Sequence, residues 1–340
     1  MSMIASAARL AERAPLPDAV SKLGVAALVG RTSRSLARRD PSEEAFAREM
    51  DGSPVADHVR AANEQHYELP ADFFALSLGP RRKYSCCLYA NGDETLAEAE
   101  ALALDATIAR AGLADGQRIL ELGCGWGSLS LLMAERFPLA KILAVSNSAS
   151  QRRFIEQTAR ARGLSNLRVI TADMNAFAPH ATFDRIVSVE MFEHMANWRE
   201  LLARIRTWLA PEGRLFVHVF SHRSRPYRFA VDDEGDWISQ HFFTGGLMPS
   251  HGLIGRFPES FTVERDWRWS GAHYQKTALH WLANFDANRA SVDPILAQVY
   301  DNEADVWRRR WRLFFLAVAG MFGHAGGEEW GVSHYLLRPA

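Results

Sequence analysis

Apolar positions along this chain switch between two periods. From about residue 95, short aliphatic runs recur: RILEL (118–122), KILAVS (141–146), LRVITA (167–172), DRIVSV (184–189) and RLFVHVF (214–220). Each is bounded by polar residues and too short for an ordinary helix, so each predicts a buried strand. Between them the spacing turns helical, most clearly in TLAEAEALALDATIARAGL (95–113) and SASQRRFIEQTARARGL (148–164), with Gly112 and Gly163 where helices stop. Strand alternating with helix predicts an α/β fold, a mostly parallel sheet with helices on both faces. FTVERDW (261–267) and SHYLLRP (333–339) bring the expected strands to seven, with two or three helices over 273–322 between them.

Two regions depart from this rhythm. Residues 221–260, beginning SHRSRPYRFAVDDEGDWISQHFF, are rich in turns and aromatics and predict an inserted lid, as do the helices over 273–322. Trp237, Phe242 and Phe243 are its candidate substrate-facing rings. At the other end, residues 1–60 predict a helical arm ahead of a main domain over 61–340. Within residues 1–39 seven basic residues (Arg9, Arg13, Lys22, Arg31, Arg34, Arg38, Arg39) face two acids, Glu12 and Asp18. Val20, Leu23 and Ala27 recur at helical spacing there. Two readings stand: an amphipathic arm touching an anionic membrane surface peripherally, or a helical layer packed on the main domain.

Composition narrows the class. With 340 residues, 48% of them hydrophobic, the chain has material for one large core plus a cap. A formal net charge of -1 and the lack of any zinc-finger or RNA-binding motif argue against a nucleic-acid partner. Cys86, Cys87 and Cys124 offer no spaced disulfide or metal framework, which fits a reducing cytoplasm and no metal cofactor. Arg9, Glu12 and Arg13 interrupt any signal core, and no uncharged apolar run reaches the ~18 residues of a spanning helix. The pattern fixes no oligomeric state.

The first strand runs into ELGCGWG, Glu121 to Gly127, and a helix follows. That context makes a glycine loop informative for nucleotide-like ligands, yet the spacing fits neither a dinucleotide fingerprint nor a phosphate loop. An acid at the strand's end suits a ligand with a cationic amino group. After the fourth strand, EMFEHM gathers Glu190, Glu193 and His194; on a helix, positions i, i+3 and i+4 would share one face.

ELGCGWGSLSL resembles motif I of the class I S-adenosylmethionine-dependent methyltransferases, and its CGWG form resembles the cyclopropane-fatty-acyl-phospholipid synthase group within them. QHYELPADFFALSLGPRRKYSCCLY (65–89) is similar to that group's signature upstream of the loop. EMFEHM, HFFTGGLMPS and GEEWGVSHYLL look most like the coclaurine N-methyltransferase branch. The resemblance covers roughly residues 60–338 and implies a Rossmann-like class I methyltransferase sheet. It also implies S-adenosyl-L-methionine as cofactor, held by Tyr84, Ser85, Glu121, Gly123, Gly125, Gly127, Ser148, Gln151, Asp173 and Met174. The ribose-binding acid usual about 20 residues past such glycines is missing from LAVSNSASQ, and Ser148 and Gln151 of the group's S-x-x-Q are expected to serve instead.

The resemblance implies methyl transfer to the nitrogen of a small, aromatic or alkaloid-like amine. His194 is then the expected base, with Glu190 and Glu193 binding and orienting the amine. In the alternative, a cyclopropane synthase acting on lipid acyl chains, the base is a bicarbonate held by positions matching the Cys86 backbone, Glu193 and His241, with a tyrosine that the sequence does not place. Two departures count against it: Glu190 stands where those enzymes carry a small residue, typically glycine, and FTGG (243–246) replaces their FPGG. A non-catalytic cofactor- and lipid-binding protein would be expected to have lost the glycine loop or the charged cluster, and both are intact.

Overall fold

The computed structural model describes residues 12–14, 16–38, 42–57, 69–229 and 237–340. Arg9, Arg39 and the first four residues of the 65–89 signature lie outside them. Two arm helices come first, α1 (Asp18–Arg38) and α2 (Glu43–Met50), then α3 (Ala71–Ser77) and α4 (Leu96–Ala111). The alternating part follows: β1 (Arg118–Leu122), α5 (Ser128–Arg136), β2 (Lys141–Ser146), α6 (Ala149–Ala161), β3 (Leu167–Thr171), β4 (Phe183–Val189), α7 (Trp198–Trp208) and β5 (Leu209–His222). The lid contributes β6 (Tyr227–Arg228), α8 (Trp237–His241) and β7 (Leu247–Met248). Last come β8 (Phe261–Ser270), helices α9 (Gly271–Ala287), α10 (Arg289–Tyr300) and α11 (Ala304–Gly323), and β9 (Trp330–Pro339).

The main sheet has seven strands in the order β3-β2-β1-β4-β5-β9-β8, and β9 runs antiparallel to both neighbours. Alternation along β1 divides the core between its faces. Ile119 joins Leu104, Ile108 and Met133 from α4 and α5, whereas Leu120 and Leu122 join Leu201, Leu202 and Ile205 from α7. Sequence signals set the helix ends as expected. Thr95 and Glu98 form a reciprocal capping box on α4, and Gly112 ends it at φ +61°. The fifth strand is longer than its apolar run: Leu209 already pairs with Phe183, before a register shift brings Arg214 opposite Arg185.

Register brings the carboxyl ends of β1 to β4 to one edge. Glu121 lies between Ala144 and Val187, so the loop after β1, Ser146 of β2 and the turn after Val189 open on the same side. The arm's two helices pack on different neighbours: α1 on α11, and α2 on α7 and residues 253–256. Leu36 of α1 is buried and Val29 half-buried against the aromatic core, while Val20 is 49% and Leu23 72% exposed. The packed layer is therefore present, and the Val20, Leu23, Ala27 stripe faces outward. Among the described residues no helix is long and apolar enough to cross a membrane.

Candidate active site

A cavity opens at that carboxyl edge, walled by the loop after β1, the segment ahead of α4 and the turn after β4. Gly123 and Gly125 have φ of +81° and +51°, where side chains strain the backbone. A Cβ on Gly123 would lie 2.7 Å from that of Met191, while one on Gly125 would meet nothing within 4 Å and stand in the cavity. Gly127, expected at the cofactor, starts α5 and does not line the cavity.

Two polar groups there lack compensation. Glu121 is 2% exposed, and its carboxylate accepts a short hydrogen bond from Ser130; burial outweighs that bond and pushes its pKa up to about 8. Gln151 accepts from Ser146 at 2.7 Å, but its buried Nε2 has no partner. A buried acceptor and an unanswered donor on one wall fit a ligand with an ammonium group at one end and hydroxyls further along. Tyr84, Ser85, Asp173 and Met174 also line the cavity. Ser148 does not. Its hydroxyl caps α6, accepting from Gln151 N at 3.4 Å, a helix-start role that S-x-x-Q spacing satisfies by itself.

EMFEHM opens no α-helix. Glu190 adopts φ +48°, and a single 3₁₀ turn, Phe192–His194, precedes α7, whose start Asn197 caps. The three side chains therefore do not share a face: Glu190 and His194 line the cavity, and Glu193 does not. Glu193 is wholly buried, with Oε1 accepting from Phe220 N at 2.8 Å and Oε2 without a partner. Burial and the charge of Glu190 push its pKa well up, which favours the neutral acid. That position corrects the expectation that Glu193 holds substrate; it pins the 192–194 turn to β5.

Glu190 is the most fully bonded of the three. Oε1 accepts from Cys86 N at 2.9 Å and lies 3.2 Å from His218 Nε2, and Oε2 accepts from the Tyr274 hydroxyl at 2.6 Å. Burial raises its pKa, opposed by the Lys83 ammonium and the donors from Cys86 and Tyr274. Burial, Lys83 and Arg110 push His218 well down, so its neutral ring can donate from Nε2 to the carboxylate. Behind it His218 packs on His334, the rings tilted and their centroids 4.5 Å apart, and His334 Nδ1 lies 2.5 Å from an Arg110 nitrogen. Lys83 is itself 2% exposed, tied to Ser85 Oγ at 2.5 Å and Cys86 O at 2.6 Å. Sequence reading missed Lys83, Tyr274 and His218. Lys83 ends the basic run Arg81, Arg82, Lys83 directly ahead of Tyr84, a pattern that reads as solvated surface; Tyr274 and His218 carry no local sign and are brought in only by α9 and β5.

The lid rings divide. Phe243 packs on the His194 ring, centroids 4.5 Å apart, and so stands one side chain back from the cavity. Phe242 is fully buried and stacked on Phe314, and Trp237 donates to Glu12 Oε1 at 2.5 Å. Neither lines the cavity, because core packing and the arm claim them. His241, which the cyclopropane chemistry would place at a bicarbonate, pairs instead with Glu12 at 3.1 Å. Burial raises the thiol pKa values of Cys86, Cys87 and Cys124, as inert core residues.

Residues 56–326 match the family model described as mycolic acid cyclopropane synthetase. The chain belongs to that family. It is 38% identical over 289 residues to an (S)-coclaurine N-methyltransferase of Thalictrum flavum subsp. glaucum, covering 84% of this chain and 80% of that one. The cyclopropane-fatty-acyl-phospholipid synthase of Escherichia coli (strain K12) is 30% identical over 271 residues, 79% of this chain and 66% of the relative. A crystal structure of coclaurine N-methyltransferase bound to N-methylheliamine and S-adenosylhomocysteine superposes with a TM-score of 0.91 at 32% identity, covering 99% of this chain and 100% of that one. The enzyme is an S-adenosylmethionine-dependent methyltransferase with the class I fold that the resemblance of ELGCGWGSLSL implied. Its cofactor, when bound, supplies an electrophilic methyl group on sulfur. Glu121, Gln151 and the open face of Gly125 are the residues whose environment fits it, with Tyr84, Ser85, Asp173 and Met174 around them.

Proposed function

We propose that the enzyme methylates the nitrogen of a small amine with an aromatic or alkaloid-like body. An amine attacks only as the free base, so the acceptor side of the site must take up a proton and stabilise cationic forms. His194, on the cavity wall against Phe243, is the group we assign to the proton. Glu190, its carboxyl group anchored by three donors, is the group we assign to holding the ammonium. Glu193 holds the turn that carries both.

One observation carries this reading over cyclopropane formation: the carboxylate of Glu190 sits on the Cys86 N–H and the Tyr274 hydroxyl. The Cys86 amide is a donor that the synthase chemistry would keep for bicarbonate, and Tyr274 is placed to be the tyrosine that chemistry calls for. Here a side chain already fills the place, and His241 is engaged elsewhere. The likeness to coclaurine and pavine N-methyltransferases supports the same choice.

The test uses cofactor with a trideuterated methyl group, offered a panel of aromatic and aliphatic amines and unsaturated phospholipid vesicles. N-methylation keeps all three deuterons, whereas ring closure on an alkene loses one. We expect retention on an amine; a lipid product with two deuterons would overturn the proposal.

A further inference from the structure

A second cavity, of about 250 Å³, lies at the amino ends of the parallel strands, the edge opposite the catalytic mouth. Four guanidiniums line it, each from a different element: Arg110 from the last turn of α4, Arg185 from β4, Arg214 from β5 and Arg265 from β8. Arg185 and Arg214 are direct register partners on adjacent strands, where like charges repel. A fold gains nothing from gathering these charges unless something answers them.

The protein answers them only in part. Arg214 alone of the four has a carboxylate partner, with Nε 2.7 Å and Nη2 3.3 Å from the two oxygens of Glu264. Arg185 donates to carbonyls, Ala111 O at 3.1 Å and Asp184 O at 2.7 Å, while the Asp184 carboxylate accepts from Arg118 N at 2.7 Å. Arg110 lies over the rings of Trp267 and Trp269, 5.0 and 5.3 Å from their centroids, and bonds His334. Arg265 is exposed and makes no hydrogen bond or ion pair among the described residues. Burial lowers the proton affinity of Arg110, and burial together with the charge of Arg214 does so for Arg185. Asp184 and Glu264 act on Arg185 through space without pairing with it, so among the described residues Arg214 is the one of the four with a counterion of its own.

We propose that this cavity binds a small soluble oxyanion carrying two or more negative charges, of the phosphate and diphosphate class. Planar guanidinium forks match the paired oxygens of such groups, and converging them from four elements fixes an orientation that a scatter of surface lysines would not. Even with Glu264 paired to Arg214 and Asp184 shared between Arg185 and Arg118, the four guanidiniums leave an excess of at least two positive charges, which a monovalent ion cannot neutralise. The ring of Trp267 closes one wall.

The test is calorimetric titration of the full chain with inorganic pyrophosphate, the catalytic cavity first saturated with S-adenosylhomocysteine so that it cannot contribute. We expect one saturable site per chain, weakening as salt is raised, and weakened about tenfold by Arg265→Gln, as losing one charge-assisted contact implies. Arg265→Gln removes no internal bond, so it is expected to melt with the wild type. Arg185→Gln should add to the loss, with its melting temperature followed in parallel. No saturable binding tighter than about 1 mM, equal affinity in wild type and Arg265→Gln, or equal competition by chloride would each overturn the proposal and leave a solvated basic face.

Discussion

At the residue scale, Glu190 joins an unfavourable backbone to a favourable side chain. Its φ of +48° suits glycine, the residue typical of cyclopropane synthases at this position, and costs a glutamate on the order of 1–2 kcal/mol. Three donors on its carboxylate offset that strain. Glu190→Gly is therefore expected to fold, to bind amine more weakly, and to leave the Cys86 N–H and Tyr274 hydroxyl facing a gap of carboxylate size. Added formate or bicarbonate should recover part of the amine affinity in that variant and none in wild type; steady-state KM with and without the anion is the measurement. His194→Ala should instead depress kcat by roughly 10²–10⁴, the usual contribution of a general base, with neither anion restoring it. A kcat within a fewfold of wild type would remove His194 from the proton's path. The residue types at this site were legible in EMFEHM, but their directions were not. Direction depends on one positive φ and on an amide from Cys86, 104 residues away, and neither leaves a periodic trace.

At the element scale, the strands and helices of the alternating part were legible because each carries its own apolar period and its own stop signal. The lid was legible as an interruption only. Its contacts depend on partners distant in the chain, so the sequence offered Trp237 and Phe242 as substrate rings where the structure uses them to anchor α8. Glu12 is the centre of that anchor: it binds Trp237, His241 and Arg310, and Arg309 bonds its backbone carbonyl. Burial alone would raise its pKa, but the hydrogen bonds from His241, Trp237 and Arg310 outweigh it and bring the value down to about 2, from 4.5. A carboxylate depressed in the folded state contributes stability that is complete above about pH 4.5 and lost as pH falls through about 2. Glu12→Gln should therefore be less stable than wild type at pH 7 by about 1–3 kcal/mol, with the gap narrowing as pH drops from 4.5 toward 2. Urea unfolding across pH measures it. Because Phe243 backs His194 from the same lid, the variant's amine KM should rise more than its kcat falls.

Over the whole molecule, the ligand-free protein has an acid in its core that the fold does not compensate. Folded Glu121 keeps its proton up to about pH 8, whereas an unfolded glutamate loses it near 4.5. The folded state thus holds the extra proton throughout that interval, and stability falls as pH rises from 4.5 to 8 before levelling off. The span corresponds to at most about 5 kcal/mol. Glu121→Gln should lose this slope, which urea unfolding of both proteins at several pH values would show; parallel slopes would mean that the carboxyl is compensated after all. The order of the sheet has a further consequence, for the making of the chain. β9 comes after β8 in sequence yet lies between β8 and β5, so β8 has no neighbour in the sheet until residues 330–339 have been translated. A nascent chain paused on the ribosome before residue 330 presents an open edge on β5, the strand that carries His218 and Phe220. The strand that supports Glu190 and Glu193 is therefore unpaired on one side until β9 is made. Interrupted translation products should be aggregation-prone and inactive, however much of the cofactor loop they contain.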